Sequence, residues 1–107
     1  MKQAMSIFYH VAPAHYEIGA DLLSFEELEA RGYDVAWKYE GEPVDTDVVC
    51  LFETEAEARD FVANFLPDGQ VLRVVIPADA DDVRMTRVEE GYPAVFRMIP
   101  ACYVEAM

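Results

Sequence analysis

The chain is poor in the residues from which most enzyme motifs are built. It has two histidines, two cysteines, five glycines and only two serines, Ser6 and Ser24, in 107 residues. None of the glycines is spaced to cradle a phosphate, which excludes Rossmann and nucleotide-kinase chemistry. There is no nucleophile elbow, no CxxC pair and no HExxH helix. Ser24 is accounted for below as a helix cap, so a serine hydrolase is excluded too. No apolar run approaches the roughly 20 residues that a membrane-spanning helix needs. The start, MKQAMSIFYH, lacks the long apolar stretch and small-residue cleavage site of a secretory leader. Cys50 and Cys102 both lie in apolar, strand-like surroundings, and the expectation is buried thiols in a reducing cytoplasm.

Positive charge is also scarce. Eight Lys and Arg face 21 Asp and Glu, a net charge of −13. The excess is uneven: residues 1–60 carry −10 and residues 61–107 carry −3. Such a field repels phosphates, so non-specific binding of nucleic acid by counterion release is not expected. Solubility explains the acidity, and so does a surface that occupies a basic partner.

What the chain has is apolar patterning, with 53% hydrophobic and 12% aromatic residues. That is enough for one core in a single domain over 1–107. Val48 to Phe52 is an unbroken apolar run, as expected of a strand covered on both faces. Thr54 and Glu57 follow with capping-box spacing, and Ala58, Phe61, Val62, Phe65 and Leu66 give the helix one apolar stripe to lay against a sheet. A second capping box, Ser24 and Glu27, starts a short helix with Phe25 and Leu28 that Gly32 closes. Further strands are expected at 6–11, at 33–39 with Tyr33, Val35, Trp37 and Tyr39 on one face, and at 71–76, 83–88 and 94–99. Residues 102–104 form a last edge piece. The fold class is α+β: a small single domain with a mixed, mostly antiparallel sheet of five or six strands and two helices.

The chemistry-bearing candidates are few. His10 ends the first strand beside Tyr9, and His15 follows five residues later. A histidine at a strand end can hydrogen-bond a ligand and titrate near neutral pH, and it can equally be a satisfied structural residue. Two histidines with Glu17 and Asp21 nearby have no metal-ligand spacing, so no metal is expected. Glu89 and Glu90 precede Gly91-Tyr92-Pro93. They read either as an acid/base group at a strand mouth or as a polar hairpin turn with Gly91 at positive φ. Arg73, Arg84, Arg87 and Arg97 suit cross-sheet ion pairs or a phosphate.

The order of these parts resembles the ADP-ribosyltransferase-like superfamily. The likeness is carried by a first strand ending Tyr9-His10, a helix closed by Gly32, the strand and helix VVCLFETEAEA at 48–58, VLRVVI at 71–76 and the late strand ending Ile99-Pro100. The compact prokaryotic members of the RNA 2′-phosphotransferase and DNA-modifying toxin branch are the most similar. The resemblance implies NAD or a related nucleotide as ligand and cleavage of its nicotinamide–ribose bond. It implies that His10, beside Tyr9, holds the ribose and that Phe52 stacks on the base in place of the family's tyrosine. Glu90, or Glu89, would stabilise charge on the ribose, and Arg97 would meet the pyrophosphate. The alternative reading is a non-catalytic acidic interaction module, of inhibitor or immunity type, that binds a basic protein.

Overall fold

Two hydroxyl side chains start the two helices. Ser24 Oγ accepts the Glu27 backbone N–H at 3.2 Å, and Thr54 Oγ1 accepts that of Glu57, also at 3.2 Å. Each satisfies a donor that the first helical turn would leave unpaired. The capping boxes are not reciprocal in the usual way. Glu57 instead accepts from the Thr54 hydroxyl at 3.1 Å, and Glu27 pairs with Arg97 at 3.3 Å.

The computed structural model describes residues 5–12, 14, 16–32, 47–88 and 91–107. The elements are β1 (Met5–Ala12), β2 (Leu22–Leu23), α1 (Phe25–Ala30), β3 (Val48–Cys50), α2 (Glu55–Phe65), β4 (Gln70–Pro77), β5 (Met85–Arg87), β6 (Pro93–Phe96), β7 (Met98–Ile99) and β8 (Val104–Ala106), with a 3-10 turn at Ala101–Tyr103. The expected strand over 33–39 lies outside the described residues, as do His15, Trp37, Glu89 and Glu90. No helix among the described residues is long and apolar enough to cross a membrane.

The α+β class holds. Where one mixed sheet of five or six strands was expected, the described residues form eight strands in three small sheets, β1-β4-β8, β2-β7 and β3-β6-β5, each pairing antiparallel. One reason is a break in the expected strand 94–99. Arg97 adopts φ 65°, a left-handed conformation that side chains with a Cβ disfavour. The chain therefore leaves β3 after β6 and pairs with β2 as β7. Both backbone groups of Arg97 are held: its N–H donates to Asp47 O at 2.8 Å, and its C=O accepts from Ser24 N at 2.9 Å. The exposed ion pair to Glu27 adds little. Arg97→Gly is therefore expected to raise unfolding stability by about 1 kcal/mol in urea titration, because glycine relieves the positive φ.

β1 and β4 pair over their full lengths, Met5 opposite Pro77 through Ala12 opposite Gln70. Alternation in β4 buries Leu72, Val74 and Ile76 and leaves Val71, Arg73 and Val75 on the outer face. The inner residues join Val49, Leu51, Val95, Ile99, Leu22 and Ala12 in the main core. A smaller cluster of Val48, Val88 and Ala94, with Cys50 against it, lies on the other face of β3 and β6. Cys50 is half-buried and Cys102 is exposed, and neither is in a disulfide, so the expectation of two buried thiols is corrected at Cys102. The piece expected at 102–104 is the 3-10 turn followed by β8.

Beyond Cys50 the chain of β3 continues to Phe52, which exchanges two backbone hydrogen bonds with Tyr9, at 2.9 and 2.7 Å. Through this bridge the strands follow one another as β8-β4-β1-β3-β6-β5. β3 and β4 flank β1 and run parallel to each other, and α2 joins them, a split β-α-β unit. α2 packs against β1 and β4. Gly69 permits the return into β4, since a Cβ there would come within 2.9 Å of the Leu66 side chain.

Candidate functional site

The β1–β3 junction positions most of the candidate residues. Tyr9 stands directly opposite Phe52 and, on the other side of β1, opposite Arg73, which in turn faces Glu105 of β8. Residues directly across a ladder share a face. Glu105, Arg73, Tyr9 and Phe52 thus form a row on the outer face of the sheet. His10 is the next residue along β1 and alternates to the opposite face, where its neighbours Phe8 and Ala12 meet the main core.

Antiparallel geometry explains what His10 does there. With Tyr9 and Phe52 exchanging bonds, the next such pair would be Val11 and Cys50. Instead the His10 ring enters the seam, and its Nδ1–H donates to the Cys50 carbonyl at 2.8 Å. A carbonyl only accepts, so the neutral imidazole carries its proton on Nδ1. Burial pushes the His10 pKa down to about 4, against an opposing upward pull from the Cys50 bond. Near neutral pH this is an uncharged ring that closes a gap between two strands.

The Phe52 side chain joins a different group. Its ring lies 5.5 Å from Phe61 and 5.7 Å, edge-on, from Tyr92, while Phe61 is 5.1 Å from Phe65. Tyr92 comes from the turn between β5 and β6. Gly91 there has φ 95°, and its N–H donates to Val88 O at 2.8 Å, which is the turn role expected of it. Arg87 braces the corner, with Nη1 donating to Gly91 O at 2.7 Å and lying 3.4 Å from Glu53. The row reaches the surface at both ends: Phe65 is 62% exposed and Tyr92 42%.

These rings show where the sequence reading missed. The apolar stripe on α2, expected to lie against a sheet, does so only in part. Only Ala58 is fully buried, Phe61 and Val62 are half-buried, and Phe65 projects outward. The available signal was a pair of phenylalanines at i and i+4 in the last turn of a helix too short to cover them.

The structure therefore brings Tyr9, Phe52 and Tyr92 to one side of the β1–β3 junction and turns His10 to the other. Arg97 is not with them. It pairs with Asp47 at the far end of β3, roughly 17 Å from Phe52 along the strand direction. Its guanidinium meets Glu27 of α1. No protein-family model, no curated protein and no solved structure matches the chain.

Proposed function

We propose that the chain is a non-catalytic acidic interaction module, of inhibitor or immunity type, that engages a basic protein partner. The observation carrying this reading is the aromatic row Phe65, Phe61, Phe52 and Tyr92, exposed at both ends on a molecule of net charge −13. Exposed contiguous aromatics mark docking surfaces, and Phe and Tyr are favoured at interface cores. A strong negative field steers a cationic partner and weakens with salt. Chemical cross-linking in the native cell, comparing the wild type with a Phe65→Ser/Tyr92→Ser double variant, tests it. The expected result is a basic protein captured by the wild type, released by salt and lost with the variant. Capture that is indifferent to the two rings, or to salt, contradicts the reading.

The nucleotide reading keeps one specific support. Phe52 and Tyr9 share a face, with Tyr92 against the Phe52 ring, as a base-stacking subsite requires. In that reading His10 fixes the ribose of NAD and Glu90 stabilises charge developing on it. His10 would have to exchange its bond to the Cys50 carbonyl for the ligand, which favours the interaction reading. Titration with NAD, followed by Trp37 fluorescence and His10 ring shifts, separates the two, and His10→Ala abolishes any response only if NAD binds there.

A further inference from the structure

Resting on the interaction reading, we infer that the open edge of β1 at residues 5–7 receives an extended, Lys- or Arg-bearing segment of the partner as an added antiparallel strand. The backbone geometry carries this. Tyr9 donates its N–H to Phe52 and accepts at its C=O, so both groups point away from β4. In an antiparallel ladder these directions alternate, and the groups of Ile7 and Met5 therefore point the same way as those of Tyr9. β3 does not follow them. Beyond Phe52 the chain turns at the N-cap Thr54 into α2, and no described residue pairs with Ile7 or Met5 on that side. Exposure rises accordingly along β1, from 5% at Val11 to 51% at Ile7 and 60% at Met5. Each of the two residues offers an N–H and a C=O at the position that β3 vacates.

This stretch also lacks the guards that the other edges carry. β5 and β8, which each pair on one side, are three residues long and bear Arg87 and Glu105. Short length and charge are the usual protection against strand addition. Residues 5–8 hold neither charge nor proline, and β4 keeps them extended. Charge decides the occupant. Residues 1–60 carry −10, and Glu53 and Glu55 stand where β3 turns into α2. The partner of Glu53, Arg87, is exposed and 3.4 Å away. A second copy brings the same negative charge and is repelled, whereas a cationic segment is attracted. Residues that exchange bonds in an antiparallel pair share a face. The segment therefore places apolar side chains beside Ile7 and Met5 and its Lys or Arg at the positions between.

The probe is a synthetic peptide of about six residues that alternates Val and Lys, long enough to span residues 5–7. One version is N-methylated at every lysine, which blocks its outer edge. The other is N-methylated at every valine, which blocks the edge facing β1 and leaves the side chains and charge unchanged. Titration is followed at the amide resonances of Met5, Ser6 and Ile7 and by hydrogen exchange of Ile7. The expected result is saturable binding of the lysine-methylated peptide, slowed exchange at Ile7, and binding at least about tenfold weaker for the valine-methylated one. Ile7→Pro removes an outward donor, leaves the bonds to β4, and weakens binding likewise. Equal or reversed preference between the peptides overturns the inference and leaves the interaction reading standing. So does an Ile7 amide already protected in the free protein. Binding of neither peptide, with a basic protein still cross-linked in the cell, overturns the inference alone. Binding of neither, with no cross-linked partner, overturns both. Sedimentation showing self-pairing that Ile7→Pro breaks makes a second copy the occupant and overturns the inference.

Discussion

Leu51→Ala is expected to cost about 3 kcal/mol of unfolding free energy, the largest effect of any single truncation considered for this molecule. Leu51 is 0% exposed and belongs to the main core with Val49, Leu72, Val74 and Val95. Its backbone N–H donates to Pro93 O at 2.9 Å, which fixes the residue to β6. Phe52, the next residue, is fixed to β1 by the Tyr9 bridge. The backbone is thus held on both sides and cannot collapse into the space that the side chain leaves. A retained cavity adds to the lost transfer energy and puts the cost in the middle of the range for buried leucines. Against a total stability of roughly 5–15 kcal/mol for such a domain, that is a large share. Urea titration with an unchanged slope is the measurement. A loss below about 1 kcal/mol means that the seam around Leu51 relaxes freely and that β3 is not the rigid member described.

Acid is expected to destabilise the protein through His10 by a comparable amount. In the unfolded chain the imidazole titrates at its ordinary 6.5, and in the folded protein at about 4. The folded state therefore holds the ring neutral while the unfolded state takes up a proton. The contribution is fully present above pH 6.5, falls as the pH drops through the interval, and is gone below about 4. The gap corresponds to about 3 kcal/mol. His10→Gln keeps an N–H for the Cys50 carbonyl but does not titrate, so it is expected to lack the imidazole's share of the loss between pH 6.5 and 4.5. Comparing wild type and variant over that interval isolates the imidazole from the carboxylates, which are common to both. Parallel curves contradict the placement of the ring inside the β1–β3 seam.

Local rules made much of this fold readable. Both helix caps, the alternation in β4 and the positive φ of Gly91 follow from side-chain chemistry within a few residues. The features that decide function depend on contacts distant in sequence. Nothing near Arg97 signals a left-handed residue; the break arises because Asp47 and Ser24, far away in the chain, bind its backbone. The face that His10 occupies depends on the Tyr9–Phe52 register, which pairs residues 43 positions apart. A one-residue slip there would have placed the imidazole beside the ring of Phe52, as a nucleotide site requires. The outward turn of Phe65 was hidden for another reason: a helical stripe says which residues share a face, not how much of it the sheet is wide enough to cover.

The division of the β1–β3 junction into an aromatic outer side and an imidazole bonded to the Cys50 carbonyl on the inner side is the claim on which the functional reading stands. The most direct test follows the Phe52 ring and the His10 imidazole in one spectrum while NAD is added at neutral pH. The account predicts that NAD moves neither group and that His10 remains the neutral Nδ1–H tautomer throughout. A saturable NAD-dependent shift at His10 contradicts it.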